Sequence, residues 1–222
     1  MINRGAGRAR SLSELSALEG LMRDAASLGV ALSAADAARL LQLTQELARW
    51  NRSYNLTSIT APEQMLTHHL LDSLSVHPQL QGTRIADVGT GAGFPGLPLA
   101  LCNPARQFTL IDASAKKIRF VSHAARQLGL DNVSALHARA EALTPAAPFD
   151  TVVARAFAPL PQLLASVAAL CGPATRLLAM KGKRPDAELA ALPPAWTLEY
   201  CRALAVPGLA AARCVLALKR AP

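Results

Sequence analysis

The chain has 222 residues, 51% of them hydrophobic and 4% aromatic, with a net charge of +8. That length suits one well-buried domain with an appendage, or two small ones, and leaves Leu, Ala and Val to build the core. No apolar run approaches the ~18 residues that span a bilayer, and the four scattered cysteines form no CxxC pair, so they read as reduced core thiols of a cytoplasmic protein.

The start, "MINRGAGRARSLSEL", is rich in Arg but has no apolar stretch behind it, unlike a secretory signal. The acids of the following helix argue against a transit peptide. "SLSELSALEGLMRDAASLG" carries leucines at helical spacing and stops at Gly29. "SAADAARLLQLTQELARWNRSYN" opens on Ser33 as N-cap and places Leu40, Leu43, Leu47 and Trp50 on one face. A third helix, "APEQMLTHHLLDSLSVHPQL", has Pro62 near its start and Pro78 past its end. His68, His69 and Asp72 share a face of it; with no further ligand cluster, a structural His–Asp pair is expected and no metal.

From residue 84 short apolar runs alternate with helical stretches. Strands are predicted at "RIADVG", "QFTLIDA", "VSALHA", "FDTVVAR" and "TRLLAMKG", and a helix at "SAKKIRFVSHAARQLG" between Ser114 and Gly129. Such alternation implies an α/β fold with a parallel sheet covered by helices on both faces. The tail departs from it: "WTLEYCRALAV" and "RCVLALKR" read as two strands joined by a turn containing Pro207 and Gly208. The domain boundary is placed between residues 1–80, helical, and 81–222, Rossmann-like.

The stretch "DVGTGAGFPGLPLAL", residues 87–101, holds four glycines in the first strand–helix turn, where a doubly wound sheet meets its ligand. Gly91, Gly93 and Gly96 formally satisfy GxGxxG, and Asp112 lies 21 residues beyond Gly91, as in an NAD-linked dehydrogenase. The other register, Asp87 followed by Gly89, Gly91 and Gly93, fits better. Pro95 lacks an N–H where a pyrophosphate would seek one, and S-adenosylmethionine carries no phosphate. In this register Asp87 is expected to face a cationic group of the ligand. Asp112 is expected to accept the ribose hydroxyls, and the Ala140–Glu141 backbone to read the adenine edge. Arg155 either points into the cleft or pairs with an acid such as Asp87. No room remains after residue 160 for a dehydrogenase's substrate domain.

Seven stretches occur in order: "NLTSI" (55–59), "HHLLDSL" (68–74), "DVGTGAGFPGLPLAL" (87–101), "LIDASAKKIRFV" (110–121), "RAE" (139–141), "ARAFAPL" (154–160) and "MKG" (180–182). From about residue 36 onward the chain resembles the bacterial 16S rRNA guanine(527)-N7-methyltransferases, the RsmG or GidB family. The resemblance implies a class I S-adenosylmethionine-dependent methyltransferase fold: a Rossmann-like, seven-stranded mixed sheet with a helical N-terminal extension. It also implies methyl transfer to guanine N7 in 16S rRNA, free or within the small ribosomal subunit. By motif, Gly89, Phe94, Ala140, Glu141 and Arg155 contact the cofactor, with Gly91 in the same turn and Asp112 beside them. His68 stands where the family often has Arg.

Residues 1–80 carry seven Arg against seven acids, so the whole excess of charge lies in 81–222. A polyanion is the expected partner of such a domain, and solubility alone is the plainer alternative. Lys116, Lys117, Arg119 and Arg126 on one helix are candidates for the RNA face. Lys181 either meets phosphate or is a solvated loop charge, and Lys183 and Arg184 come next. A monomer without membrane contact is expected. The rival from another class is a non-catalytic, ribosome-associated RNA-binding protein that retains the fold.

Overall fold

The computed structural model describes residues 12–221; the Arg-rich start lies outside them. Two long helices come first, α1 (Leu12–Ser27) and α2 (Ala34–Tyr54). Ser33 caps α2 in both directions: its Oγ accepts from Asp36 N at 3.0 Å and donates to the Asp36 carboxylate at 2.7 Å. Such a cap contributes about 1 kcal/mol. The helix ends in left-handed Asn55, φ 48°, whose short polar side chain tolerates that conformation.

The third expected helix is not uniform. It begins as α3 (Pro62–Met65), widens into π-helix over Leu66–Leu71 and closes with α4 (Asp72–Leu74). Six residues with i→i+5 bonding are uncommon, and such insertions concentrate at functional sites. Periodicity gave no sign of it, because one widened turn shifts the apolar face without abolishing it.

Seven strands follow: β1 (Arg84–Val88), β2 (Gln107–Asp112), β3 (Val133–His137), β4 (Thr151–Arg155), β5 (Arg176–Lys181), β6 (Trp196–Ala203) and β7 (Cys214–Arg220). Helices α5 (Gly96–Leu101), α6 (Ala115–Gln127), α7 (Leu160–Val167) and α8 (Asp186–Ala190) connect them. The sheet order is β3-β2-β1-β4-β5-β7-β6. β1 to β5 are parallel, and β7 runs antiparallel between β5 and β6. All seven expected strands are present, and the last two form the antiparallel pair read from the tail.

Alternation along the strands divides the core. Ile85, Phe108, Leu110, Val153, Leu178 and Val215 face one side and join the apolar faces of α1, α2, α4 and α6. Ala86, Val88, Ile111, Val152, Ala179 and Leu216 face the other, against α7. Leu21, Leu40, Leu47 and Leu74 are therefore in one continuous core with the sheet. β1 pairs with β2 on one side and β4 on the other. Strand order reverses there, and the crevice beyond the carboxyl ends of β1 and β4 is where such a sheet holds its ligand.

Candidate active site

The glycine turn after β1 is tied down from both sides. Gly89 N and Thr90 N donate to Ile111 O at 2.9 and 3.0 Å, fastening the turn to the end of β2. Gly89, Gly91 and Gly93 all have positive φ (70°, 61° and 85°), which glycine alone adopts without strain. A Cβ on Gly89 would fall 2.3 Å from the Phe157 ring, so that position tolerates neither the conformation nor the bulk of a side chain.

Beyond the turn lies a cleft of about 250 Å³ bordered by Gly89, Asp112, Ala140, Glu141, Lys117 and Phe157. Asp112 ends β2 with its carboxylate beside the cleft. Oδ2 accepts Gly91 N at 2.9 Å, Oδ1 accepts Ser114 N at 2.8 Å, and Lys117 Nζ stands 3.7 Å from Oδ2. Each oxygen keeps a lone pair for a further donor. Ala140 and Glu141 open a short 3₁₀ turn, Ala140–Ala142, after β3. Residues at the start of such a turn have N–H groups without intrahelical partners.

A second cavity of about 450 Å³ lies between the π-helical segment and the ends of β4, β5 and β7, bordered by Thr57, His68, Asp72, Arg155, Lys181 and Arg213. Ala156 borders both cavities and has φ 50°. A non-glycine residue held in that region is strained, and such strain gathers at functional sites. Lys181 Nζ donates to Ala158 O at 3.0 Å and to Glu188 at 3.1 Å. Glu188 also accepts Leu160 N, and that backbone donor holds its carboxyl below the usual range. The segment following Ala156 is thus clamped at both ends.

Several expected residues are placed differently. Asp87 borders neither cavity. It is 1% exposed, and its Oδ2 accepts Thr90 Oγ1 at 2.6 Å and Gly96 N at 2.8 Å, so it shapes the turn from inside. Burial pushes its pKa up to about 6. Arg155 does not pair with Asp87 either: Nη1 donates to Asp72 Oδ2 at 2.7 Å and to His68 O at 2.8 Å. The expected His–Asp pair is absent, because Asp72 is held by Arg155 and by Arg213, whose Nε donates to Oδ1 at 3.0 Å. His69 instead bonds Thr57 Oγ1 through Nε2 at 3.1 Å and stacks on Phe94 at 4.7 Å.

Phe94 is 3% exposed, with the Arg155 guanidinium 5.8 Å from its ring centre, and borders neither cavity. Of the lysines considered for RNA, Lys117 faces the Asp112 cleft, and Lys116 Nζ donates to Tyr54 O at 2.9 Å; Arg119 is exposed. Sequence reasoning missed Arg213 and the strain at Ala156. "NLTSI" carried Thr57 without showing its role. Arg213 has no local signal: the antiparallel course of β7 brings it to the site. Among the described residues no group of three or more His, Cys, Asp or Glu is arranged to hold a metal, and no helix is long and apolar enough to cross a membrane.

A sheet of this order, a glycine turn after β1 and an acid ending β2 define a class I S-adenosylmethionine-dependent methyltransferase. Solved structures share the fold. Magnesium protoporphyrin IX methyltransferase from Synechocystis, with bound S-adenosylmethionine, aligns with a TM-score of 0.56 at 16% identity over 85% of this chain and 98% of that one. TrmN from Thermus thermophilus aligns with 0.55 at 23% identity over 70% and 53%. The sequence profile of rRNA small subunit methyltransferase G, GidB, matches residues 36–216. Ribosomal RNA small subunit methyltransferase G from Pseudomonas syringae pv. syringae is 44% identical over 90% of this chain and 94% of its own length. The Azoarcus sp. protein of that name is 44% identical over 94% and 100%. The chain belongs to the rRNA small subunit methyltransferase G family. It is an S-adenosylmethionine-dependent methyltransferase of ribosomal RNA.

Proposed function

We propose that the chain methylates N7 of a guanine, guanine 527 of 16S rRNA, with the cofactor in the Asp112 cleft and the target nucleotide entering the second cavity. The observation that carries this reading is Ala156, the strained residue common to both cavities. A base on one side of it and a methyl donor on the other would meet at the end of β4.

The donor set fits the cofactor. Asp112 retains acceptor capacity for two ribose hydroxyls, and the Ala140–Glu141 turn offers N–H and C=O groups to an adenine edge. Gly89 and Gly91 let the backbone approach closely. Arg155, which borders the second cavity, and Phe94, with its ring centre 5.8 Å from that guanidinium, are assigned to supporting the cofactor from behind the cleft wall. When bound, S-adenosylmethionine supplies a methyl group made electrophilic by its sulfonium sulfur. Guanine N7 has a lone pair and no proton to lose, so no side chain needs to act as a general base. The protein's contribution is alignment, for which properly held reactants gain several kcal/mol. The sulfur would keep the bonding pair of the departing methyl, and the base would take the positive charge.

Lys116, Arg119 and Lys181 are assigned to RNA, and Lys117, which faces Asp112, to the cofactor cleft. The small-subunit RNA, free or in a particle, is the substrate, and the chain acts as a monomer in the cytoplasm. The test is to map 7-methylguanosine in 16S rRNA from cells lacking the gene, by chemical cleavage at the modified base. A signal at position 527 that disappears on deletion and returns on complementation is expected. A signal that persists without the gene contradicts the assignment.

A further inference from the structure

The second cavity carries more positive charge than its own carboxylate matches. Arg155, Lys181 and Arg213 border it, against Asp72 alone. Counting Glu188, which pairs with Lys181 from outside the lining, still leaves one cation over. The arginines are no surface charges: their side chains are 16% and 23% exposed, and the Asp72 side chain between them is 3% exposed. Cations taken that far out of water need compensation by an anion.

The hydrogen bonds show what remains free. Asp72 uses one oxygen on Arg155 Nη1 and the other on Arg213 Nε. Arg213 Nη1 turns back to Ala212 O at 3.0 Å, and Nη2 has no hydrogen-bond partner among the described residues. Arg155 spends Nη1 on Asp72 and His68 O, leaving its other N–H groups without one. Lys181 uses two of its three donors. The Thr57 hydroxyl, which accepts from Ile59 N at 3.1 Å, also borders the cavity. His69, a residue 7% exposed, lines the same cavity, and its buried Nδ1 has no hydrogen-bond partner among the described residues.

We propose that this cavity is an anion site in which Arg213, with Lys181 beside it, holds a phosphodiester of the RNA substrate next to the target nucleotide, Asp72 acting as the positioning residue that aims the guanidinium. Guanidinium and phosphate match in charge and in the geometry of paired N–H donors. A phosphate also suits the reaction, because the methylated base is cationic and would otherwise be produced beside two arginines that share one carboxylate. The site rests on the second cavity's being the RNA side, yet it is read by equilibrium binding, not transfer. Loss of methyl transfer to guanine with the Arg213 effect intact would sink the assigned reaction and leave the site standing.

The same anion chemistry has another source, the carboxylate of the cofactor's methionine end, and the test separates the two. Binding of unmodified 16S rRNA to the full chain is measured between 50 and 300 mM KCl, and S-adenosylmethionine binding by calorimetry. For Arg213→Ala the RNA affinity is expected to fall about tenfold and the slope of log affinity on log salt to lose about one unit. The cofactor affinity is expected to stay within about twofold of wild type. Arg213→Lys should retain the slope, since it retains the charge. If the alanine variant fails to fold, Arg213→Gln gives the same readout, keeping a donor for Asp72 while removing the charge. Wild-type salt slopes in the neutral variants overturn the proposal. So does a cofactor affinity that falls tenfold with RNA binding unchanged, which would assign the anion to the methionine carboxylate.

Discussion

Asp112 shapes the glycine turn through Gly91 N, and the same carboxylate is the one we propose for the cofactor ribose. Asp112→Ala is therefore expected to weaken S-adenosylmethionine by about 2–3 kcal/mol, as a charged acceptor and its backbone partners are both lost. It should also lower the melting temperature. Calorimetry on the folded variant checks this, and unchanged affinity would contradict the ribose assignment. His69 makes a prediction in pH. Burial, then the Arg155 guanidinium, lowers its pKa from 6.5 to about 4. The unfolded chain takes up this proton near pH 6.5 and the folded one only near 4, so its contribution is complete above 6.5 and lost as pH falls toward 4. Between about pH 7.5 and 5 wild type should lose roughly 2 kcal/mol relative to His69→Phe. Parallel stability profiles would show that the ring is not held neutral. The places of Asp112, at the end of β2, and of Ala140–Glu141, in the turn after β3, were legible in the sequence because each lies at the close of a recognisable apolar run. Asp87 was misread because the turn returns Gly96 N onto its carboxylate, burying an acid that a strand-end position alone would leave facing the ligand.

Strands were the most legible elements, since apolar runs between turn residues are local features and both faces of this sheet are covered. The π-helical stretch was illegible for the opposite reason: its bonding responds to tertiary demand, with His68 O turned to Arg155. Helix α2 shows how the N-terminal helices are fastened to the sheet-bearing part. Trp50 packs on Phe120 at 5.6 Å and on His123 at 4.9 Å of α6, and Glu46 accepts from His123 Nε2 at 3.2 Å in its protonated-Nε2 form. α6 begins three residues after Asp112, so this contact backs the Asp112 cleft. Trp50→Ala is expected to cost about 2–3 kcal/mol of stability, less than a fully buried aromatic because the ring is half-buried. Chemical denaturation should show one cooperative transition at a lower midpoint. A separate early transition for the helices would contradict the shared core.

Across the whole molecule the charge asymmetry acquires a geometry. Two of the basic residues seen in the sequence work at the cavities, Lys117 against Asp112 and Lys181 in the clamp over Ala158, while Arg119 and Arg126 are exposed on α6. Replacing Lys116 and Arg119 together by Ala should flatten the salt dependence of RNA binding and spare the cofactor. Lys117→Ala should do the reverse, weakening the cofactor several-fold. An exchange of these effects would place the RNA elsewhere. The sequence placed these lysines on one helix; it could not show that the carboxylate ending β2 draws Lys117 inward. Arg213 was invisible for a similar reason, since only the antiparallel insertion of β7 beside β5 delivers it to the second cavity. The most direct test of the account is to incubate the purified chain with unmodified small-subunit RNA and methyl-labelled S-adenosylmethionine, then digest the RNA to nucleosides for mass spectrometry. The account predicts label in 7-methylguanosine, abolished in Asp112→Ala; label in any other nucleoside, or none from a chain that binds both ligands, would contradict it.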